Sequence, residues 1–583
     1  MSKICSPYLK MLSGKDVNWN FTLTPELLDQ AAREDKLIFL HIGYISNIVV
    51  REGSSQLFSN KEVTKLLNEN FISIAEDRDD NPESFLVALD MLFMNQDFSY
   101  GPMNLFIMPD RRPIVCFSET DPETFISIAE KIIDAKKNKR ELLDKLADEL
   151  SRQTRNSGII SGISPSVPAT ESLLHDYIKS WFSRMFHSDF LSKLSPYTPN
   201  PSSLYTVVEY LREFPDKEMG ETIESFLEDL QFSPLFDPID GGFYRQAKDY
   251  TCAEPLFEKN LEDNSQYIIL YSAAYSLFGK ESFRETVYHI YSFINKEFAS
   301  PSGGYFSNAT LTDNIESAVY YSCSINEIEH LFPVRYPEIA VALGMDTRLD
   351  PSLRQNPVRN PDTYSSIRRD ELETLQERRK EHRGYLVDKR IITSYNAQLA
   401  KALSIASRVL KDNFLQEEAT AVFDFLINNN INTKGKLLRY TCCSNGCRFG
   451  FLSDYAYLID SSVELYKTSG SREFRELAIK YMSVVMENFY KPENGMFSKS
   501  EKGAAVPVVP FKRESNIDLI KPSANSVMAG NLIELYRITQ NKTYLETAGR
   551  QLSNIASDLP ESGPLLSSWA HKLLLYVLLS EKN

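Results

Sequence analysis

Apolar residues along this chain follow two rhythms, and the change between them divides the sequence. Up to about residue 120, short apolar runs of strand length alternate with segments whose apolar positions recur at three and four. This predicts helices over 24–34 and 60–70, strands over 36–44, 71–77, 103–109 and 112–118, and one long helix from Asp121 to about residue 154. Strands alternating with helices and closing on a hairpin describe a small α/β domain with helices on both faces of a sheet. From Glu171 onward the rhythm is helical, in segments such as NSQYIILYSAAYSLFG, YNAQLAKALSIASRVL and NSVMAGNLIELYRIT, each expected to bury one stripe. The stretch NSGIISGISPSVPAT (156–170) is rich in Ser, Gly and Pro and has neither rhythm, so it reads as a linker. The expected organisation is an α/β domain over 1–155, a linker over 156–170 and an all-α domain over 171–583.

Within the helical part a glycine followed by large apolar residues recurs, in GGFYR (241–245), GGYFS (303–307), GKLLRY (435–440) and NGMFS (494–498). The intervals are about 60, about 130 and about 60 residues, which fits a helical hairpin of about 60 residues whose marker is missing once.

Composition narrows the function. With 42% hydrophobic and 25% charged residues among 583, most of the chain should fold. The net charge of −15 argues against nucleic-acid or anionic-membrane partners, which demand concentrated positive charge. No apolar stretch has signal-peptide or bilayer-spanning length, so a cytoplasmic location is expected. Seven scattered cysteines do not form a secreted disulfide framework, and reduced thiols are expected. Cys442, Cys443 and Cys447 cluster, but zinc wants four ligands and no histidine stands nearby, so no metal is expected. No H-E-x-x-H, G-x-S-x-G or Walker motif is present, and no cofactor is implied. The segment RRDELETLQERRKEHR (368–383) reads as a solvated helix laced with ion pairs, with His382 on its exposed face.

The stretches SPYLKMLSGKDVNW, KLIFLHIGY, NKEVTKLLNENFISIAEDRDDNP and GPMNLFIMPDRRP resemble the spermatogenesis-associated protein 20-like family of thioredoxin-domain proteins. The resemblance continues through DPIDGGFYR, EPLFEKNLEDNSQ, DKRIITSYNAQ, GFLSDYAYLID and KPSANSV, and covers about residues 3–540. It implies a thioredoxin-like domain followed by an (α/α)6 toroid, similar to the six-hairpin glycosidases and the N-acylglucosamine 2-epimerases. In typical members the tyrosine matching Tyr44 is followed by Cys-His-Trp-Cys, whose cysteine positions fall here on Asn47 and Val50. Disulfide exchange needs an attacking thiolate and a resolving thiol, and neither residue supplies one. Cys5 and Cys116 would form a substitute pair only if the fold joined them. Pro102 stands at a strand entry, where a cis peptide is expected and where a proline would shape a groove for an extended peptide.

For the toroid, the matched positions at loop–helix junctions are Arg245, Glu258, Asp263, Asn264, Asp388, Tyr395, Asn396, Asp454, Tyr455, Asp518 and Asn525. Acids, amides and aromatics are what a sugar site requires, although Asp and Asn at helix starts also cap backbone N–H groups. Two histidines typical of the family are replaced by Tyr244 and Leu256, which weakens epimerase-type proton transfer. The expectation is a redox-inactive binding scaffold rather than an enzyme, with a protein or peptide partner at the thioredoxin-like frame and a sugar-like ligand at the toroid. The alternative is a carbohydrate-active enzyme, hydrolase- or epimerase-like, with Glu258, Asp263 and Asp454 as its carboxylates.

Overall fold

The computed structural model describes residues 4–94, 101–156, 168–187, 191, 196–312, 319–382, 385–440, 449–501, 516–518 and 521–580. Most of the expected linker, 157–167, and the cysteines at 442, 443 and 447 lie outside these residues. The chain forms two units: one of Met1–Ser164, Arg439–Leu452 and Met486–Ser515, the other of Pro165–Leu438, Ser453–Val485 and Asn516–Asn583. The first therefore takes in two stretches that the apolar rhythm assigns to the helical domain.

In the first unit five strands, β1 (Trp19–Asn20), β2 (Leu37–Gly43), β3 (Phe71–Asp77), β4 (Met103–Ile107) and β5 (Pro113–Phe117), lie in the order β1-β3-β2-β4-β5. β1 and β2 run parallel to β3, β4 runs antiparallel to β2 and β5 antiparallel to β4, which is a thioredoxin-like sheet. Helices α1 (Pro7–Ser13), α2 (Pro25–Arg33), α3 (Ile48–Leu57), α4 (Lys61–Asn70), α5 (Pro82–Met94), α6 (Pro122–Asn138) and α7 (Arg140–Asn156) complete it. The single long helix expected after Asp121 is two, because Lys139 leaves helical geometry with φ −140°. Each predicted strand and short helix falls within two residues of its observed bounds.

A buried polar chain runs beneath the sheet. The Tyr8 hydroxyl donates to Ser54 Oγ at 2.8 Å and meets His41 Nε2 at 2.6 Å, while His41 Nδ1 meets Asn104 Oδ1 at 2.7 Å. Burial lowers the His41 imidazole to about 4, so it stays neutral at physiological pH. A Cβ at Gly43 would stand 2.2 Å from the Tyr8 hydroxyl, which is why that strand ends on glycine.

The second unit is a closed ring. Its inner helices are α9 (Pro201–Glu213), α11 (Leu261–Phe278), α16 (Thr393–Leu410), α18 (Leu452–Ser469), α20 (Ala524–Thr539) and α22 (Ser567–Ser580). Its outer helices are α8 (Glu171–Phe186), α10 (Lys217–Gln231), α12 (Glu281–Phe293), α17 (Asn413–Asn429), α19 (Arg472–Asn488) and α21 (Lys542–Ile555). Hydrogen bonds trace the inner circle: Arg212 to the Ala273 carbonyl, Gln266 to Gln398, the Ser394 N–H to Asp454, Asn531 to the Ala456 carbonyl, Ser526 with Ser568, and Thr206 to the Ser567 carbonyl. Six inner and six outer helices make an (α/α)6 toroid. The single buried stripe expected of each helix is absent from α11, where every residue from Leu261 to Ala274 is buried, because an inner helix is enclosed by two inner neighbours and the outer layer.

The glycine marker is a hairpin closed by one bridge: Phe236 with Phe243, Ala299 with Tyr305, Ile431 with Leu437, and, in the first unit, Tyr490 with Phe497. Gly241 and Gly242 sit at φ +82° and +76°, and Gly303 and Gly304 at +93° and +68°, conformations that only glycine adopts cheaply. No marker is missing. Strands β8 (Glu258–Asn260), β9 (Asn308–Leu311) and β10 (Tyr385–Asp388) form a sheet in the order β10-β9-β8, and residues 312–384 are an insertion between the paired β9 and β10. Without it the long interval shortens to about 60 residues. The insertion holds helices α13 (Ile325–Leu331), α14 (Tyr336–Ala342) and α15 (Arg369–Lys380) around a core of Ile325, Ile328, Ile339, Leu343 and Leu375.

Helix α15 is solvated on one face only, where Arg369 pairs with Glu373 and Lys380 with Glu377 as expected; its other face is not. Glu371, Leu375 and Arg379 are buried, and Arg379 reaches Asp237 at 2.8 Å and Asp240 at 2.6 Å. Lys259 donates to the same Asp237 at 2.8 Å and stands 4.8 Å from the Tyr244 ring and 4.4 Å from Phe293. Two cations thus balance two carboxylates. Burial alone would raise the Asp237 carboxyl, but Arg379 and Lys259 pull it below the usual carboxylate range.

The inner helices fasten the hairpins through asparagine. Asn264 Oδ1 accepts the Phe243 N–H at 2.8 Å and its Nδ2 donates to the Phe243 and Asn260 carbonyls at 3.1 and 3.0 Å. Asn396 repeats this on Tyr305, at 2.8 and 2.9 Å, and on the Ile392 carbonyl at 3.1 Å. Replacing Asn264 by alanine should cost about 2–3 kcal/mol in urea unfolding, since two buried backbone groups lose their partner. Asn396→Ala should match it, and a loss below about 0.5 kcal/mol for either would contradict the bracing role.

Candidate functional site

At the redox position of the first unit, Asn47 caps α3. Its Oδ1 accepts the Val50 N–H at 3.1 Å and its Nδ2 donates to the Tyr44 hydroxyl at 3.3 Å, so a carboxamide takes the helix-terminal hydrogen bond. Asn47 is 6% exposed, Val50 is fully buried, and Pro102 is buried just before β4. The loop after β3 stands close by: the Arg78 guanidinium lies 3.6 Å from the Tyr44 ring centroid. That loop is held from the chain's second half, by Arg439 to the Asp79 carbonyl at 3.0 Å, Tyr440 to Asp80 at 2.9 Å and Lys499 to the Pro82 carbonyl at 2.6 Å, all within this unit. Cys116 is a buried thiol outside any disulfide, directed at the Ala88 carbonyl. Cys5 is disulfide-bonded, which corrects the expectation of reduced thiols throughout, and its partner lies outside the described residues. Cys5 and Cys116 therefore form no pair.

In the second unit two of the predicted carboxylates meet. β8 runs directly into α11, so Glu258, Glu262 and Asp263 arrive together within six residues. Asn260 caps α11 by accepting the Asp263 N–H at 2.6 Å and donating to Asp263 Oδ2 at 2.7 Å. Arg245 places Nη1 3.3 Å from Glu258 Oε1 and Nε 3.9 Å from Asp263 Oδ2. Burial raises the Asp263 carboxyl from 3.8 to about 6 against the pull of Arg245. Glu262 accepts from Gln398 at 2.8 Å and from Lys521 at 2.6 Å, Gln266 donates to Gln398 at 2.8 Å, and Lys521 lies 5.2 Å from the Tyr395 ring. Acids, amides, cations and a tyrosine thus form one polar cluster at the inner helix starts. The chain's own pattern offered a signal for Glu262 and Gln266, which stand four apart on one helix face beside Asp263; Gln398 and Lys521 had none.

The other candidates stand apart from this cluster. Asp388 is gripped by Arg390, whose Nε lies 3.0 Å from both its oxygens. Asp454 accepts the Ser394 N–H at 3.1 Å, and the Tyr455 hydroxyl accepts the Leu437 N–H at 3.3 Å. Asp518 accepts the Ser523 and Ser568 N–H groups, each at 2.7 Å, and the Ser568 hydroxyl at 2.5 Å, while burial raises it to about 6. Asn525 accepts from Gln551 at 3.4 Å. Asn264 and Asn396 brace the hairpins described above. Tyr244, at one of the replaced histidine positions, is buried beside Phe257 and Tyr321. Among the described residues no group of three or more His, Cys, Asp or Glu side chains is placed to hold a metal ion, and no helix is long and apolar enough to cross a membrane.

Fold and site together define a protein in which a thioredoxin-like frame without its cysteine pair precedes an (α/α)6 toroid. Residues 1–155 match the thioredoxin DsbH family model, described as "Protein of unknown function, DUF255". Over 93% of its length the chain is 23% identical to spermatogenesis-associated protein 20 of Mus musculus, spanning 76% of that protein; over 99% it is 23% identical to the Homo sapiens protein of that name, spanning 82%. Along nearly its whole length the chain is thus similar to the spermatogenesis-associated protein 20-like family of thioredoxin-domain proteins. Solved structures that it is similar to include two sugar-acting enzymes. A GH76 α-mannanase of Bacteroides thetaiotaomicron gives 12% identity and TM-score 0.44, over 70% of this chain and 96% of that one. A cellobiose 2-epimerase of Bacillus thermoamylovorans gives 9% and 0.43, over 71% and 100%.

The raised Asp263 carboxyl has a pH signature. Protonation occurs near 6 in the folded chain and near 4 in the unfolded one, so the folded state holds more protons between those values and stability falls as pH rises through the window. Asp263→Asn should remove this loss, gaining about 2–3 kcal/mol on the wild type between pH 4 and pH 7 in urea unfolding. Asp518 has the same sign and cancels in the comparison. A difference that stays flat with pH would refute the assignment.

Proposed function

We propose that the protein is a redox-inactive binding scaffold whose toroid takes a carbohydrate-like ligand at the cluster of Arg245, Glu258, Glu262, Asp263, Gln398 and Lys521. The observation that carries the scaffold reading is the start of α3, where the Asn47 carboxamide and the buried Val50 occupy the two positions that disulfide exchange reserves for sulfur. The toroid points the same way: Asp454 and Asp518 are taken up by backbone N–H groups, and Asp388 by Arg390. The remaining cluster mixes acceptors, amide donors and cations, which suits the hydroxyls of a polyol. A protein or peptide partner of the thioredoxin-like frame belongs to the same proposal.

The purified protein should reduce insulin disulfides no faster than free thiol does. In a thermal-shift screen of neutral sugars and sugar acids, a ligand should stabilise the protein without being converted, and Asp263→Ala or Gln398→Ala should abolish the shift. One observation favours a second reading as a carbohydrate-active enzyme: Asp263 is raised to about 6 and shares Arg245 with Glu258, as an acid and its partner would. Turnover of any sugar, lost in Glu258→Gln, would decide for that reading.

A further inference from the structure

Deeper in the ring, below the polar cluster at the helix starts, lie side chains that the cluster does not use. On α22, Lys572 follows Ser568 by four residues and so stands one turn further in on the same face. Its stem runs past Gly530 of α20, where a Cβ would meet Lys572 Cε at 2.9 Å and Cδ at 3.0 Å, so a residue that weakens a helix is what makes room for the lysine. Lys401 of α16, Asp460 and Lys467 of α18 and Glu534 of α20 all act on the Lys572 amine, which therefore points into the circle of inner helices. The two carboxylates are engaged by other cations: Asp460 takes Lys401 at 2.7 Å, and Glu534 takes Lys467 at 3.0 Å and Arg537 at 2.9 Å. Among the described residues the Lys572 amine has one hydrogen-bond partner, His571 Nδ1 at 3.1 Å. Burial and the Lys401 charge bring that amine down to about 8, and burial with the neighbouring lysines keeps the His571 imidazole neutral. The pair is not sealed off. Lys572 and His571 each keep 8% of their surface open, and the half-buried Tyr205 of α9 stands edge-on to the His571 ring at 5.0 Å. The Tyr205 hydroxyl and His571 Nε2 have no hydrogen-bond partner among the described residues.

We propose that Lys572 captures a small open-chain hydroxyaldehyde as an imine, while Tyr205 and His571 bind its oxygens. A primary amine that sheds its proton near neutrality and touches no carboxylate is a nucleophile, and the partner it takes up reversibly is a carbonyl carbon. The neutral amine nitrogen attacks that carbon and a C–N bond forms. Its two protons pass to the carbonyl oxygen, which leaves as water, and no oxidant or reductant takes part. His571 Nδ1, already on the amine, is placed to carry those protons. Burial holds the Tyr205 phenol well above its ordinary range, so it remains a donor, and with His571 Nε2 it offers the aldehyde's hydroxyls the hydrogen bonds that the protein leaves unmade there. The proposal goes beyond the ligand reading above and does not depend on Arg245, Glu258 or Asp263.

The test incubates the full chain with glycolaldehyde and sodium cyanoborohydride, which fixes an imine as a secondary amine, and locates the adducts by peptide mass spectrometry. At pH 7 Lys572 should be labelled about tenfold or more faster than Lys217, whose side chain is 87% exposed. Its rate should level off above about pH 8 instead of climbing through the ordinary amine range at about 10.4. His571→Gln and Tyr205→Phe should each slow the labelling about fivefold or more, the value of one hydrogen bond. The wild-type comparison decides the matter by itself if either variant fails to fold. No adduct on Lys572, a rate no greater than that of Lys217, or a rate that keeps climbing to about pH 10 would overturn the proposal, and unchanged rates in both variants would overturn the roles of His571 and Tyr205.

Discussion

The toroid rests on one constraint: its inner helices begin inside the protein, where the N–H groups of a first turn find no water. Each such group left bare would cost about 1–3 kcal/mol, so every start needs a side chain aimed at it. Asp454 answers the Ser394 N–H, Asp518 answers Ser523 and Ser568, and Asn264 and Asn396 reach back to the hairpins that deliver the chain. The Tyr455 hydroxyl plays the corresponding part for Leu437. Polar residues thus accumulate at the helix starts for architectural reasons, and a ligand site there is built from what architecture leaves over. Arg245, Glu258, Asp263 and Glu262 are such a remainder, since they pair with side chains more than with backbone.

The same economy governs the first unit. In a thioredoxin-like frame the helix after β2 begins where a thiolate would sit, and its N–H groups favour a negative or polar atom there. Asn47 keeps that electrostatic arrangement with a group that cannot exchange disulfides. The cap that stabilises α3 is therefore kept at a helix start that carries no cysteine.

Local rhythm made the architecture legible. Strands such as Leu37–Gly43 and Phe71–Asp77 open on short, mostly apolar runs, and amphipathic helices such as Lys61–Asn70 announce themselves by spacing. Helix α3 went unmarked because its start, SNIVVREG, was legible only as an altered motif, and the dissection of α6 from α7 left no proline or glycine to read. Helix α15 misled for a physical reason: a buried arginine looks like a solvated one until its carboxylates, here Asp237 and Asp240 far upstream, are known. The same limit applies to the site. Glu258 and Asp263 are close in sequence, so their proximity was legible, whereas Gln398 and Lys521 join them only by closure of the ring.

The insertion enters after Leu311 and returns at Tyr385, two residues that face each other across one antiparallel ladder. Its route in and its route out are neighbours, so the ladder closes beneath it, while Arg379, Arg359 and Gln376 tie the insertion to Asp237, Thr286 and the Ile239 carbonyl of the ring. Its core takes in Ile239 of the ring, and its Arg379 neutralises two carboxylates that the ring buries, so the inserted module and the hairpin beneath it are bound to change together: losing the one would strand the charges of the other.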